Sequence, residues 1–250
     1  MNILEVRGLE KSYLDSETKK NFKAVDGVSF ELEDAQIYGI LGPNGAGKTT
    51  TLEMIEGLTD IDGGYAIIDG INVTDNPYEV KAIIGVQLQS NEYFDSLTLK
   101  ELLILFGKLY KNNIDADELL QKVDLNEKLN AKPSELSGGQ KQRFSIACAM
   151  VNEPKVLFLD EPTTGLDPQA KHNLWKLIKN LNESGMTIIL TTHNMEEAES
   201  LCHKVAIMDK GKIISEGTPQ NLIAKFNNDS GETGNLEKVF LSITGRGLKD

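Results

Sequence analysis

Gly42-Pro43-Asn44-Gly45-Ala46-Gly47-Lys48-Thr49, continued by Thr50, fits the pattern G-x-x-x-x-G-K-[ST]. Its chemistry is phosphate binding. Glycines let successive backbone N–H groups close around phosphate oxygens, the lysine reaches the terminal phosphates, and the threonine hydroxyl can ligate Mg²⁺ at the start of a helix. A second reactive pair is Asp160-Glu161, two carboxylates ending the apolar run Val156-Leu157-Phe158-Leu159. A buried strand would carry them to the carboxyl edge of a parallel sheet, where a phosphate loop also opens. In phosphoryl-transfer enzymes the first acid holds Mg²⁺ and the second can accept a proton from the attacking water. A third group, Ser137-Gly138-Gly139-Gln140, sets a hydroxyl and two glycines ahead of a helix, which suits an anion or a plain helix cap.

These groups need elements to position them. Residues 3–9, 27–32, 37–41 and 65–68 are strand-like, rich in β-branched and aromatic residues and punctuated by glycine. A helix is expected over 48–57, directly after the phosphate loop. Between 98 and 124 the apolar spacing turns helical and suggests a separate lobe, with Leu99, Leu102, Leu103, Phe106, Leu109 and Tyr110 on one side. Further helices are expected over 140–151, 169–181 and 195–202, with buried strands over 155–160, 187–191 and 204–208 between them. That alternation predicts an α/β fold whose sheet is largely parallel with crossover helices. Residues 227–234 read as a polar hinge before a short terminal helix. Asp60-Ile61-Asp62-Gly63-Gly64 begins like a calcium loop but lacks the later ligands and the terminal Glu, so it reads as a turn.

Composition sets limits. The chain has 250 residues, 40% hydrophobic and 26% charged, which is ordinary globular usage for one large domain. A net charge of −12 argues against nucleic acid as a partner, because a basic stripe normally supplies that affinity. Cys148 and Cys202 lack metal-ligand spacing and read as reduced packing residues. No apolar run approaches the roughly 18–20 residues needed to span a bilayer. The first residues alternate like a strand rather than forming a signal peptide. A cytoplasmic chain is expected, with any membrane association made through a partner.

Residues 42–50, 136–140 and 156–161 follow one another in the order and spacing of the ATP-binding cassette family. The sequence resembles an ABC transporter ATPase subunit from about residue 3 to residue 248. The resemblance implies a P-loop core with an N-terminal antiparallel β subdomain and a helical subdomain at about 90–153. The ATPase domain would cover 1–218 and a short helical extension 219–250. ATP and Mg²⁺ are the implied ligands. Gly42 to Thr50 would cradle the phosphates, Thr49 and Asp160 would hold Mg²⁺, and Glu161 would be the general base. Gln89 resembles the glutamine that contacts Mg²⁺ and water and links the core to the helical lobe, with Gln87 as the nearby alternative. His193, in Leu190-Thr191-Thr192-His193, resembles the switch histidine that hydrogen-bonds the γ-phosphate. Asp167, in Gly165-Leu166-Asp167-Pro168, matches the D-loop and also suits a helix start. Tyr13 resembles the aromatic that stacks on adenine, with Phe22 as the alternative because residues 15–23 are longer and more polar than the family usually has. In the family each ATP lies between the phosphate loop of one subunit and Ser137, Gly138, Gly139 and Gln140 of the other. An ATP-dependent homodimer is therefore implied, acting on a separate integral membrane permease and so peripheral to the inner face of the membrane. Residues 236–247 resemble the ending of bacterial exporter cassettes, which favours export over import. The rival reading is a soluble cassette ATPase without a permease, in a regulatory or nucleic-acid-associated role.

Overall fold

The computed structural model describes residues 2–14, 19–87, 93–231 and 233–245. Two sheets organise it. The first is antiparallel in the order β2-β1-β4-β5, built from β1 (Asn2–Leu14), β2 (Asn21–Glu33), β4 (Gly63–Ile68) and β5 (Ile71–Asn72). The second contains β3 (Ile37–Leu41), β6 (Ile84–Gln87), β7 (Val156–Asp160), β8 (Thr187–Thr192), β9 (Lys204–Asp209) and β10 (Lys212–Gly217). Its order is β10-β9-β3-β8-β7-β6, parallel throughout except for the edge strand β10.

The central strands are apolar on both faces because both faces are covered. Ile37, Leu41, Leu157, Leu159, Ile188 and Leu190 pack into a core shared with α3 (Leu99–Leu109), α4 (Ala116–Lys122), α5 (Gly138–Ala149) and α6 (Pro168–Glu183). Their alternating neighbours Tyr38, Ile40, Phe158 and Ile189 face the antiparallel sheet and α1 (Lys48–Ile55). The period of two thus divides each strand between two cores. Among the described residues no helix is long and apolar enough to cross a membrane.

Two expectations are corrected. The helical stretch predicted over 98–124 is two helices, α3 and α4, joined by a turn in which Lys111 takes a left-handed φ of 58°. A capping box at Thr98 starts the first, and the Asp115 side chain caps the second. The polar hinge predicted over 227–234 also fails in its first half. Residues 227–230 complete α8 (Pro219–Ser230), and Gly231 ends that helix at a left-handed φ of 72°. Leu222, Ile223 and Phe226 face the core, and their apolar spacing carries the polar residues after them into the helix. The terminal helix follows as α9 (Leu236–Thr244). Further elements were not expected, among them α2 (Pro77–Ile83), β5, β6 and β10. The helix between β8 and β9, α7 (Met195–Leu201), lies where the sequence places it. Residues 60–62 are a loop tied to β1, with Lys11 Nζ donating to Asp60 O at 2.7 Å and Ser12 N to Asp62 at 2.8 Å, while Gly63 and Gly64, read as part of that turn, begin β4.

Candidate functional site

Three neighbouring parallel strands deliver the reactive groups to one edge. Leu41 lies opposite Thr192 across the β3–β8 pair, and Asp160 lies opposite Thr191 across β7–β8. The residues that follow, Gly42, His193 and Glu161, therefore leave the sheet side by side. A cavity of about 590 Å³ opens there, lined by Asn44, Gly45, Gly47, Lys48, Thr49, Thr50, Glu161, Thr164 and His193. A sheet edge at the carboxyl ends of parallel strands is where α/β proteins place ligands.

The loop's glycines have steric reasons to be glycine. A Cβ on Gly42 would lie 2.3 Å from Met208 O. One on Gly47, whose φ is +102°, would lie 2.3 Å from Ala24 O. Gly47 is also the N-cap of α1, and no side chain caps that helix end. Its first N–H groups are left for a ligand, and the helix dipole favours an anion. The substitution Gly47→Ala is expected to cost more than about 1 kcal/mol, because a left-handed φ and a backbone clash combine, and to abolish nucleotide binding. Thermal unfolding and fluorescent-nucleotide titration check this. A variant that melts and binds as wild type contradicts it.

Lys48 is buried and turned inward. Its Nζ donates to Gly42 O at 2.9 Å and Pro43 O at 3.1 Å and pairs with Glu161 Oε1 at 3.3 Å. Glu161 Oε2 lies 3.1 Å from His193 Nδ1 and accepts from Thr164 Oγ1 at 3.1 Å. Its backbone sits at φ +47°, a conformation L-residues rarely adopt, and its N–H donates to Thr191 Oγ1 at 3.0 Å. Burial pushes the Glu161 carboxyl up, but Lys48 and His193 together outweigh it and hold the group below its ordinary value. Glu161 is therefore ionised at neutral pH. Asp160 accepts from Thr49 Oγ1 at 3.1 Å and from the Thr191 hydroxyl. Thr191 and Thr164 are supporting groups that the sequence reading passed over. Thr191 sits two residues before His193 and Thr164 three after Glu161, spacings that could have pointed to them.

The other expected residues stand elsewhere. Ser137 caps α5 in a capping box, its Oγ accepting from Gln140 N at 3.3 Å while Gln140 Oε1 accepts from Ser137 N at 3.0 Å. Gly139 approaches α6 so closely that a Cβ would lie 2.9 Å from Ala170 Cβ. Asp167 caps α6 by accepting from Ala170 N at 2.9 Å, with Pro168 first in the helix. None of Tyr13, Ser137, Gly138, Gly139, Gln140 or Asp167 lines the cavity. Tyr13 and Phe22, weighed as alternatives, are cross-strand partners with ring centroids 6.0 Å apart, so they form one exposed aromatic patch. Gln89 lies outside the described residues. Gln87 is a buried strand residue opposite Leu159.

Glu56 was not anticipated at all. It follows the last residue of α1 and is only 3% exposed. Burial, with Asp160 and Glu53 adding repulsion, raises its carboxyl to about 8. Because the folded value lies above the unfolded one, ionising Glu56 costs stability. That cost is absent below about 4.5 and complete above about 8. Glu56→Gln is expected to remove this pH-dependent loss and to gain at least about 2–4 °C of melting temperature on the alkaline side. A melting profile that keeps the wild-type pH dependence contradicts the assignment.

A P-loop fold with Lys48, Thr49, Asp160, Glu161 and His193 gathered at one strand edge defines a nucleotide-binding ATPase core. The comparisons narrow the class. The family described as ABC transporter matches residues 25–164. The Nod factor export ATP-binding protein I of Burkholderia pseudomallei (strain 1710b) is 42% identical over 225 residues, covering 88% of this chain and 72% of that protein. The Linearmycin resistance ATP-binding protein LnrL of Bacillus subtilis (strain 168) is 37% identical over 233 residues, covering 91% and 73%. A solved ATP-binding subunit of an ABC transporter superposes with a TM-score of 0.80 at 29% identity, covering 97% of this chain and 99% of that one. The ATP-binding cassette MJ0796, in a dimeric post-hydrolysis state bound to ADP and Pi, gives 0.75 at 27% identity, with 86% and 98% covered. The chain belongs to the ABC transporter ATP-binding family, whose members hydrolyse ATP.

Proposed function

We propose that this chain is the ATP-hydrolysing subunit of an exporter, pairing with a second copy over MgATP and driving a separate membrane permease. One observation carries the reading: Lys48, Glu161 and His193 share a cavity with the glycine loop, while Ser137–Gln140 lie outside it. On this reading one chain offers half of a closed site and, elsewhere, the complementary half. Supporting this, a similar cassette is dimeric with ADP and Pi, and relatives are named for export and for resistance to linearmycin.

The donor set fits the ligands. Among the described residues no group of three or more His, Cys, Asp or Glu could hold a metal alone. Thr49 and Asp160 would therefore hold Mg²⁺ together with phosphate and water oxygens, as this hard cation prefers. Bound Mg²⁺ supplies charge neutralisation at the transferring phosphoryl group. Lys48 would exchange its two loop carbonyls for phosphate oxygens. Asn44 to Thr50 would present N–H donors to the phosphates, and Tyr13, beside Phe22, would stack on adenine. Glu161, freed from Lys48, would accept the proton of the attacking water, with His193 oriented toward the γ-phosphate. Ser137, Gly138, Gly139 and Gln140 of one copy, with Asp167, would complete the site of the other, and Gln89 would link it to the helical lobe. Residues 1–218 would form the ATPase unit, including a helical lobe at about 90–153, and 219–250 a helical extension.

The test is ATPase activity of the purified chain, measured alone and with the integral membrane protein that co-purifies from native membranes. Hydrolysis stimulated by that protein supports the reading. Full activity with no membrane partner recovered would favour the soluble ATPase instead.

A further inference from the structure

Glu197 is a fully buried acid that no step above uses. It lies in the first turn of α7, the helix that directly follows His193, and its Oε1 accepts from the Trp175 indole Nε1–H of α6 at 2.9 Å. Its other oxygen, Oε2, has no hydrogen-bond partner among the described residues. Such a group is a poor stabiliser. Two apolar side chains of similar shape would fill the same space about as stably, because neither would give up water for a single hydrogen bond.

The bond is placed where it can act on the histidine. Glu197 N donates to Asn194 Oδ1 at 3.1 Å, and Asn194 N donates to Thr192 Oγ1 at 2.9 Å. Thr192 and Asn194 bracket His193, so the chain of hydrogen bonds that starts at Trp175 ends on either side of it. His193 itself is exposed, and its aim depends on the backbone that carries it. At the other end, α6 starts at its Asp167 cap, and its first turn meets Gly139, where a Cβ would lie 2.9 Å from Ala170 Cβ. One helix therefore backs Asp167 and Gly139 and, through Trp175, also holds the helix behind His193.

We propose that Trp175 and Glu197 are positioning residues, which keep His193 aimed and carry to it the docking of a second copy against Asp167 and Gly139. The inference rests on the proposed pairing of two copies over ATP and adds a route, within one chain, from the half-site it lends to the half-site it keeps. Packed elements joined by hydrogen bonds can transmit such a coupling. Neither side chain lines the nucleotide cavity, so their loss should register in turnover and not in binding.

The experiment compares wild type with Glu197→Gln, Trp175→Phe and the double variant Trp175→Phe/Glu197→Leu. Thermal unfolding and nucleotide titration verify folding and binding, ATPase rate at saturating MgATP gives turnover, and sedimentation of each change placed in Glu161→Gln gives dimer formation. Glu197→Gln keeps the acceptor for Trp175 and is expected to retain most of the turnover. The double variant is expected to melt above Trp175→Phe, which leaves the buried carboxyl without its donor. Both are expected to bind ATP and dimerise as wild type, yet to turn over about 10- to 100-fold more slowly, the loss that follows slight misplacement of a reacting group. Wild-type turnover in Trp175→Phe, or turnover that recovers along with stability in the double variant, would overturn the proposal, because the bond would then be packing alone. Glu197→Gln as slow as the double variant would overturn it too. A chain without these changes that is saturated with ATP and never dimerises would instead overturn the pairing of copies on which the inference rests.

Discussion

Replacing Glu161 with glutamine is expected to leave ATP binding intact and to slow turnover by about 10²- to 10⁴-fold, the range for loss of a general base. Glutamine keeps the size of the side chain and can still meet Thr164 Oγ1 and His193 Nδ1, which now lie 3.1 Å from Glu161 Oε2. It cannot take a proton. Nor can it hold Lys48 by charge, so the lysine is released to the phosphates and nucleotide affinity should equal or exceed that of the wild type. The carboxyl is well suited to the role it loses. Burial alone would raise it, yet Lys48 and His193 keep it below its ordinary value, so it stays ionised through neutral pH. Nucleotide titration followed by single-turnover hydrolysis separates binding from chemistry. Hydrolysis near the wild-type rate would remove Glu161 from the mechanism.

The second large effect belongs to Lys48. Lys48→Met is expected to lower turnover by about 10²- to 10³-fold, the loss seen when one preorganised charge-stabilising donor is removed, and to weaken ATP binding as well. A consequence in the nucleotide-free protein is specific to this geometry. Lys48 ties down Gly42 O and Pro43 O and is the first of the charges that oppose the effect of burial on Glu161. Without it, burial is opposed by His193 and the Thr164 hydrogen bond only, and the Glu161 carboxyl is expected to rise. In the wild type the depressed value contributes stability that is present above the ordinary carboxylate range and lost as pH falls through the folded value. In Lys48→Met that contribution should be lost at higher pH. Acid unfolding of the two proteins side by side reads this out, and superimposable acid limbs would contradict the pairing.

Much of this site was legible because its elements carry strong local signals. The strand Ile37–Leu41 and the run ending in Asp160 are buried on both faces, so their continuous apolar sequence and the glycine pattern after the first mark them without tertiary information. Thr191 was harder to see. Its hydroxyl accepts from Glu161 N and donates to Asp160, a role created only when β7 and β8 lie side by side. The helix through residues 227–230 was hidden by its polar composition, because what holds it is Phe226 and Leu222 on the core face and a left-handed Gly231 beyond. Short elements such as Pro77–Ile83 and Ile84–Gln87 have too few residues for a period to show. Glu56 looked like one more polar residue at a helix end. Only the folded structure reveals that it is buried.

The central claim is that two copies close over ATP, each completing the site of the other. Sedimentation velocity of Glu161→Gln, which should bind ATP without consuming it, tests this most directly. With saturating MgATP the chain is expected to sediment as a dimer, and with ADP or no nucleotide as a monomer. A protein that is saturated with ATP and still sediments as a monomer at every concentration would contradict the account.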